Sequence, residues 1–403
     1  MSNERSASSV RRVLYHHRTQ GKAVEGVHIR GIVDALRAMG IEVDVLSLPG
    51  ADPYKSPKAM SPTKQATPWM RVVSSLPEPV FELVELAYNA VAIARLLRQL
   101  RRKPADMVYE RYSLFMFAGV LVSRWKKIPL LLEVNDAAFV DRVRPLFFSA
   151  LARRVERWVF RNCTGLVFVS GAFRDRALAT HGHMAPAIVS PNAANLAQFS
   201  PTAKQRDEAR QKWRLEGSVV CGYLGAFLPW HGIDRFLCGI ADRLGEQPRL
   251  KLLLVGDGPI FENVRSFVRD RQLEDRVVLT GRVAHDQVPG LLACMDMAVL
   301  PSAGDYTSPV KLFEFMACAV APVAPDFAPI REVLVDGVTG WIFDAHDLTT
   351  AVDAVLLRSA DAAELRRVGA AARAYIGRER QWSNNVRQLL EFQERLSAAP
   401  REH

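Results

Sequence analysis

Residues 301–334 contain the side chains of this chain that are best suited to chemistry, a lysine and a glutamate three positions apart. Lys311 and Glu314 follow the dipeptide Ser308–Pro309, which predicts a helix start because serine is a good N-cap and proline fits the first turn. A helix N-terminus beside a lysine suits a phosphate, and a carboxylate one turn further can accept hydrogen bonds from sugar hydroxyls. The stretch therefore predicts a nucleotide-sugar site. The alternative is an ordinary amphipathic helix with a surface Lys–Glu pair.

The elements that must position this pair follow from length and pattern. The chain has 403 residues, which favours two domains. Apolar strands alternate with amphipathic helices in two series, which predicts parallel sheets covered by helices that bind ligands at the carboxyl ends of their strands. We predict a first domain over residues 1–195 with an insertion at 49–79, a linker over 196–212 and a second domain over 213–378. A last helix within 379–403 is expected to pack back toward the first domain.

The composition limits the kinds of partner and the cellular compartment to be expected. The formal net charge is +10, so an acidic partner is expected: nucleotide phosphates, an anionic lipid surface or nucleic acid. Nucleic acid is the weakest option, since aromatic residues do not interleave the basic ones. The five scattered cysteines suit a reducing cytoplasm, and no apolar run reaches the roughly 18 residues of a membrane span. The start of the chain lacks the apolar core of a signal peptide. The longest apolar run, residues 114–123, is predicted to be a buried helix.

The sequence resembles the retaining glycosyltransferases of family 4. The motif SPxKxFEyMA, present as Ser308 to Ala317, is similar to one branch of that family, and the segments LLLVGDGP, VVLTGRV, YLGAFLPWHGID, DMVYERYS and LLLEVND look like further landmarks. The resemblance implies the GT-B architecture, in which two Rossmann-like doubly wound domains face each other across a cleft. It also implies a nucleotide-diphosphate-sugar donor held mainly by the second domain, and no metal or cofactor.

The chain departs from the family pattern at four positions. The first of two family glutamates falls on Tyr306, and a common helix-ending glycine is Ala319. An arginine and a lysine that grip the diphosphate in many members are replaced by Ala226 and His231. We therefore expect Lys311 to carry more of the diphosphate charge, with help from His231 or Arg282.

Further candidates for donor binding come from two sources, their position after a strand and the family resemblance. Residues 21–26 join a strand to a helix, where backbone N–H groups can approach phosphates, although a plain turn is equally compatible. By resemblance, Arg282 and Val283 line the nucleobase pocket. The donor-binding prediction as a whole comprises Gly21, Gly26, His231, Gly256, Arg282, Val283, Ser308, Pro309, Lys311 and Glu314.

Acceptor-side candidates lie in the first domain. Glu25 and His28 flank a helix start, and Arg111 follows a strand, so we predict acceptor contacts for these three; for His28 a satisfied surface histidine is the alternative. Asn135 and Asp136 follow the next strand, and we predict catalytic roles for them beside Lys311 and Glu314. His181 and His183 have no third ligand at suitable spacing, so a surface loop is favoured over a metal site. Arginines 153, 154, 157 and 161 predict a solvated face or, with residues 98–103, contact with an anionic membrane.

Three functions remain open. The first is a metal-independent retaining transferase that moves a sugar to a glycan or lipid-linked acceptor, by resemblance in surface polysaccharide or glycoconjugate assembly. The second is a non-catalytic nucleotide- or glycan-binding module. The third is a nucleotide-sugar epimerase, which would need acid–base groups that the sequence does not display.

Overall fold

The computed structural model describes residues 10–19, 24–54, 76–140 and 145–398. The chain forms two compact units. The first unit comprises the residues up to Pro191 together with those from Trp382 onward, and the second comprises Asn192–Gln381. Most of the expected insertion at 49–79 lies outside the described residues.

The first unit alternates strands and helices on one parallel sheet of order β2-β1-β3-β4-β5-β6. Its elements are β1 Arg12–His16, α1 Val24–Ala38, β2 Glu42–Leu46, α2 Glu78–Arg102, β3 Met107–Arg111, α3 Ala118–Lys126, β4 Leu130–Val134, α4 Ser149–Asn162, β5 Gly165–Phe168, α5 Gly171–His181 and β6 Ala187–Val189. All five residues of β4 are buried, as expected for a central parallel strand covered on both faces.

The second unit repeats this construction with the sheet order β12-β11-β10-β7-β8-β9. Its elements are α6 Ala203–Lys212, β7 Val219–Leu224, α7 Ile233–Ala241, β8 Leu250–Val255, α8 Phe261–Asp270, β9 Val277–Gly281, α9 Val288–Ala293, β10 Met297–Val299, α10 Val310–Ala317, β11 Ala321–Pro325, α11 Ala328–Arg331, β12 Trp341–Phe343, α12 Leu348–Ser359 and α13 Ala362–Glu379. Successive residues of its strands enter two different buried clusters: Cys221 and Tyr223 lie on one face and Val220 on the other. Both faces of the sheet are therefore covered, which is the doubly wound arrangement.

The last described helix, α14 Trp382–Ala398, returns to the first unit. Its Asn385 side chain donates a hydrogen bond to the carbonyl of Pro191 at 2.7 Å. The Trp382 ring lies so close to Gly31 of α1 that a side chain at Gly31 would overlap it. The first unit is thus assembled from two separate parts of the sequence.

Two predicted boundaries differ from the structure. Residues 196–212, expected to be a linker, include α6, whose Arg206 and Arg210 are ion-paired with Asp296 of the second unit at 2.7 and 2.6 Å. The helix expected from residue 114 begins only at Ala118, because Asn89 of α2 caps it by accepting hydrogen bonds from the Phe117 and Ala118 amides.

Helix α10, which carries Lys311 and Glu314, begins one residue later than predicted. Pro309, not Ser308, occupies the cap position, and its backbone is extended. The prediction of Ser308 as the N-cap is wrong because its hydroxyl accepts a hydrogen bond from the Asn192 amide at 3.0 Å. No side chain among the described residues caps this helix, and the Leu312 amide donates to the Pro309 carbonyl at 3.0 Å. The Val310 and Lys311 amides, which precede it, have no acceptor within the helix itself.

The other end of α10 is closed by a left-handed alanine. Ala319 has φ of 58°, and the amides of Ala319 and Val320 donate to the carbonyls of Met316 and Phe315. This pairing is the Schellman pattern, whose left-handed residue is usually glycine because a Cβ is strained there. The chain tolerates alanine at this position at a cost in stability.

Replacing Ala319 with glycine should raise the free energy of unfolding by about 0.5–1 kcal/mol, because strain relief outweighs the added freedom of the unfolded chain. Thermal denaturation should show a rise in Tm of about 1–4 °C. Ala370→Gly, at an exposed position inside α13, is the matched control and should lower stability by about 1 kcal/mol. Equal changes in the two variants would contradict the argument.

Candidate active site

The site in the second unit lies where the strand order of its sheet reverses. From β7 the chain proceeds through β8 and β9 on one side, then returns to build β10, β11 and β12 on the other. The loops that follow β7 and β10 therefore diverge and leave a crevice at the carboxyl edge, where ligands bind to such sheets. Lys311 and Glu314 lie in the first and second turns of α10, the helix that follows the β10 loop.

Lys311 and Glu314 are withdrawn from bulk water. Glu314 is 6% exposed and Lys311 is partly buried. Burial lowers the pKa of the Lys311 amine to about 8, although the nearby Glu314 charge opposes the shift. Burial likewise raises the pKa of the Glu314 carboxyl to about 7, against the influence of Lys311. Neither group has the protonation behaviour of a surface side chain, and both would gain from a ligand of opposite charge or suitable hydrogen bonds.

The end of β7 and the loop after it supply the surroundings of the lysine. The Lys311 Nζ atom lies 5.2 Å from the centre of the Tyr223 ring. A Cβ on Gly225 would lie only 2.9 Å from Nζ, so a side chain there would crowd the amine. Glycine at position 225 therefore keeps open the space in front of the amine.

His231 belongs to the same cluster. Its Nδ1 lies 2.7 Å from the carbonyl oxygen of Ala226 and 3.2 Å from the Tyr223 hydroxyl. Burial, followed by the Lys311 charge, lowers the pKa of His231, which favours the neutral ring. Because a carbonyl can only accept, Nδ1 carries the proton and Nε2 is left as an acceptor.

Two glycines allow the loops after β7 and β8 to touch. Gly256 has φ of 135°, and a Cβ there would overlap the carbonyl oxygen of Gly225. A backbone hydrogen bond joins the same two loops, from the Phe227 amide to the Asp257 carbonyl at 3.0 Å. Gly256 therefore allows the backbones of the loops after β7 and β8 to pack against each other.

The remaining donor-side candidates are less closely associated with this cluster. Ser308 is buried and Pro309 precedes the helix, so both fix its start. Arg282 is exposed and follows β9, two strands from β7, while Val283 packs partly against the core. No contact of the described residues joins Arg282 to Lys311. Tyr306 is partly buried in the loop before α10.

In the first unit, three of the predicted residues, His28, Arg111 and Asn135, gather around a glutamate that sequence reasoning did not select. Glu133, at the end of β4, is 1% exposed. It accepts hydrogen bonds from Arg111 at 2.5 Å, from the Tyr109 hydroxyl at 3.0 Å and from the Asn135 side chain. Its carboxylate also lies 3.5 Å from His28 Nδ1. The signal was present in LLLEVND, since a charged residue inside an apolar strand needs partners.

His28 is buried, so the surface-histidine alternative is wrong. Its ring meets Trp382 edge-on with centres 4.9 Å apart, and burial lowers its pKa to about 4. Glu25 and Gly26 lie in the first turn of α1, partly buried and buried respectively. Gly21 lies outside the described residues. Asp136 accepts a hydrogen bond from the Ala137 amide at 2.9 Å.

His181 is also buried and not in a surface loop. It ends α5, and its Nε2 lies 2.7 Å from the carboxylate of Glu156, which also accepts from the Tyr112 hydroxyl and the Ala138 amide. Within the described residues, no cluster of histidine, cysteine, aspartate or glutamate is arranged to hold a metal ion.

Two protein-family models match the sequence of this chain. A model described as "Glycosyl transferase 4-like domain" matches residues 25–193, and one described as "Glycosyl transferases group 1" matches residues 218–361. The chain belongs to glycosyltransferase family 4. The matches cover both units, so this glycosyltransferase carries both halves of the family's architecture.

Relatives and solved structures agree. The glycosyltransferase is 24% identical to alpha-D-kanosaminyltransferase of Streptomyces kanamyceticus over 347 residues, covering 81% of the chain and 89% of that relative. It is 26% identical over 250 residues to a GDP-mannose-dependent alpha-(1-6)-phosphatidylinositol monomannoside mannosyltransferase of Mycobacterium tuberculosis, covering 60% of the chain and 64% of that relative. The crystal structure of Anabaena HepE in complex with UDP superposes with a TM-score of 0.72, at 16% identity, over 95% of this chain and 100% of that one. The predicted GT-B fold is confirmed. In the described part of the chain, no helix combines the length and hydropathy of a membrane span.

Proposed function

We propose that this protein transfers a sugar from a nucleotide-diphosphate donor to a glycan or lipid-linked acceptor, with retention of anomeric configuration and without a metal. One observation carries the proposal: an amine and a carboxylate, both with pKa values shifted by burial, lie at an uncapped helix start beside the reversal point of a parallel sheet. Such a place suits a diphosphate joined to a ribose or sugar.

Lys311 is the group we propose to neutralise the departing diphosphate. In the free protein its lowered pKa reflects burial without enough compensating charge. A bound diphosphate would raise that pKa and keep the amine protonated as negative charge develops on the leaving oxygen. The α10 N–H groups add partial positive charge at the same place. The neutral His231 is close enough to Lys311 for the lysine charge to lower its pKa, so we propose that it too contacts the donor.

Glu314 is proposed to accept hydrogen bonds from hydroxyls of the donor, by family resemblance those of its ribose. In a retaining transfer the acceptor attacks from the face that the diphosphate leaves. A donor phosphate oxygen can then take the acceptor's proton, so the protein need not supply a base. We propose acceptor contacts for Glu25, His28 and Arg111, with Asn135 and Asp136 near the reacting sugar. Glu133 orients Arg111 and Asn135.

The relatives guide the choice of acceptor. One carries a mannosyltransferase name that specifies a phosphatidylinositol mannoside, and another a kanosaminyltransferase name. We propose a role in surface polysaccharide or glycoconjugate assembly in the cytoplasm, which the five free cysteines support. Contact with the inner face of an anionic membrane is compatible with the net charge of +10.

A thermal-shift screen with UDP, GDP and ADP should reveal the donor base. The matching nucleotide at 100 times its Kd should stabilise the folded state by about 2.7 kcal/mol, and the others by less. Inclusion of EDTA should leave the shift unchanged. If none of the three nucleotides raised the Tm, the proposed site would be contradicted.

Donor turnover separates the proposal from its alternatives. Tyr306, Ala226 and His231 replace residues that grip the donor in other family members, and this favours the binding module as the second candidate. A transferase releases nucleoside diphosphate from the matching nucleotide sugar, quickly with acceptor and slowly by hydrolysis without it. Nucleotide binding without any release would favour the module. Conversion of the donor sugar without acceptor or release would favour the epimerase.

A further inference from the structure

The outer face of helix α2 exposes an apolar stripe. Its inner face is buried through Asn89, Ala92, Leu96 and Leu100. The opposite face presents Val80, Leu83, Val84 and Val91, which are 43%, 51%, 40% and 52% exposed. These positions recur at helical spacing, and three further exposed residues on this face are also apolar: Ala87, Ala90 and Ala94. A stripe of this length is unusual on a protein surface that faces only water.

Three arginines continue the stripe toward the C-terminal end of the helix. Arg98 and Arg102 fall seven and eleven residues after Val91, and Arg101 falls eighteen after Leu83, so they share its face. All three are exposed, and no contact among the described residues pairs them with a carboxylate. Lys103, just beyond the helix, faces elsewhere and is paired with Asp44 at 3.0 Å.

The acidic residues of the helix do not neutralise this face: Glu78 lies in the first turn, at the opposite end of the helix from the arginines. Glu82 is buried and accepts hydrogen bonds from the Phe147 and Phe148 amides at 2.7 and 2.8 Å. Glu85 is paired with Arg18 at 2.6 Å. Phe147, held beside α2 by that contact with Glu82, is itself 63% exposed and adds apolar surface. The outer face is therefore apolar with uncompensated positive charge at one end.

We infer that the outer face of α2 docks on an anionic lipid surface, with Val80, Leu83, Val84 and Val91 in the headgroup region and Arg98, Arg101 and Arg102 on lipid phosphates. An exposed helix that combines an apolar stripe with arginines is the physical form of an interfacial helix. The biological reason for such docking rests on the proposed function, because a lipid-linked acceptor resides in a membrane. Its evidence is the surface itself.

Charge complementarity favours lipid over a second copy of the chain. A parallel pairing of two α2 stripes would place the arginines of one helix against those of the other. An antiparallel pairing would set them against Val80 and Leu83, where Glu82 and Glu85 are already engaged. An anionic membrane offers the arginines phosphates and the valines acyl chains at once.

The test is co-sedimentation of the full chain with phosphatidylcholine vesicles, prepared with and without phosphatidylglycerol. Wild type should bind the anionic vesicles, less at high salt. Replacing Arg98, Arg101 and Arg102 together with glutamine should weaken binding about 100-fold, or about fivefold for each charge. Leu83→Gln with Val91→Gln should weaken it more than about tenfold while the helix remains, since glutamine forms helices well.

The matched control removes three arginines from the second unit. Arg265, Arg269 and Arg271, on and just after α8, are exposed, and their replacement with glutamine changes the net charge equally. In this control variant, vesicle binding should fall by less than it does in the α2 triple variant, because the control arginines lie outside the proposed surface. Equal loss in both triple variants, or absence of binding by wild type, would overturn the inference. A wild-type dimer that the Leu83 and Val91 changes convert to monomers would also overturn it in favour of self-association.

The outcome is separable from that of the proposed function. Donor hydrolysis and the nucleotide thermal shift use no residue of the outer face of α2 and should be unchanged in the α2 variants. Loss of vesicle binding with intact hydrolysis would support the docking surface. Vesicle binding by a protein that neither binds nucleotides nor turns over a donor would leave the surface standing and remove the proposed function.

Discussion

Replacing Lys311 with methionine should lower kcat about 100- to 1,000-fold, the range expected when one preorganised group that stabilises developing negative charge is removed. Methionine fills a similar volume beside Tyr223, so the fold should persist. The effect should fall mainly on kcat, because the charge on the leaving diphosphate grows in the transition state. Steady-state kinetics with the matched donor measure the change.

Lys212 offers a matched control for that experiment. Its Nζ lies 5.3 Å from the centre of the Trp213 ring, almost the distance between Lys311 and Tyr223, but in an exposed helix. Lys212→Met should leave kcat unchanged, and a similar loss in both variants would indicate a general effect of charge. Unchanged kcat in Lys311→Met would remove the proposed mechanism.

The lowered pKa of Lys311 adds a pH signature. The amine is protonated below about pH 8 and loses its charge as the pH rises through that value. The kcat/KM of wild type, which reports the free enzyme, should therefore fall above about pH 8. This alkaline limb should be absent from the residual activity of Lys311→Met. An unchanged limb in the variant would assign it to another group.

Glu314→Gln should weaken donor binding and stabilise the fold at the same time. A hydrogen bond to a charged acceptor contributes about 1.5–3 kcal/mol, so KM for the donor should rise about 10- to 100-fold. Burial raises the pKa of Glu314 from 4.5 to about 7, so the folded protein holds a proton that the unfolded chain has released. Above pH 7 the buried carboxylate must be charged, which costs on the order of 3 kcal/mol.

The sign of that stability effect sets its pH window. Below pH 4.5 the carboxyl is neutral in both folded and unfolded states, and the variant should match wild type. Between pH 4.5 and about 7 the stability of wild type falls relative to the variant, and above pH 7 the full difference remains. Thermal denaturation should show Glu314→Gln about 6–12 °C more stable at pH 8. Glu216→Gln, on an exposed turn, is the control and should show no change.

A Tm difference for Glu314→Gln that does not vary with pH would contradict the assigned cause. An unchanged KM would contradict the assigned contact. A raised KM together with a gain in Tm that grows with pH would describe a residue whose charged form is kept for function at a cost in stability, as is common in binding sites.

The sequence predicts most of this fold because buried parallel strands are apolar runs. β4 and β8 were recognisable for that reason, whereas β6 and β12, with three residues each, are too short to stand out. Helix α6 buries none of its residues, so it lacks the apolar periodicity that separates a helix from a polar linker. Its place is fixed instead by Arg206 and Arg210 on Asp296.

The candidate site was predictable only where neighbours in sequence are neighbours in space. Lys311 and Glu314 share a helix, so their proximity follows from spacing alone. Tyr223 and Gly225 reach Lys311 through the pairing of β7 with β10, which no local pattern encodes. The exact helix start also depended on a distant partner, since Asn192 engages Ser308. Glu133 likewise takes partners from β3 and α1, which are distant from it in sequence.

The return of α14 to the first unit has a consequence for synthesis on the ribosome. The residues up to Pro191 emerge long before Trp382, so the α1 face around Gly31 stays uncovered while the whole of the second unit is being made. During that interval the nascent first unit exposes apolar surface that its own last helix will later cover. The order of translation thus means that all of the second unit is made while the first still lacks its last helix.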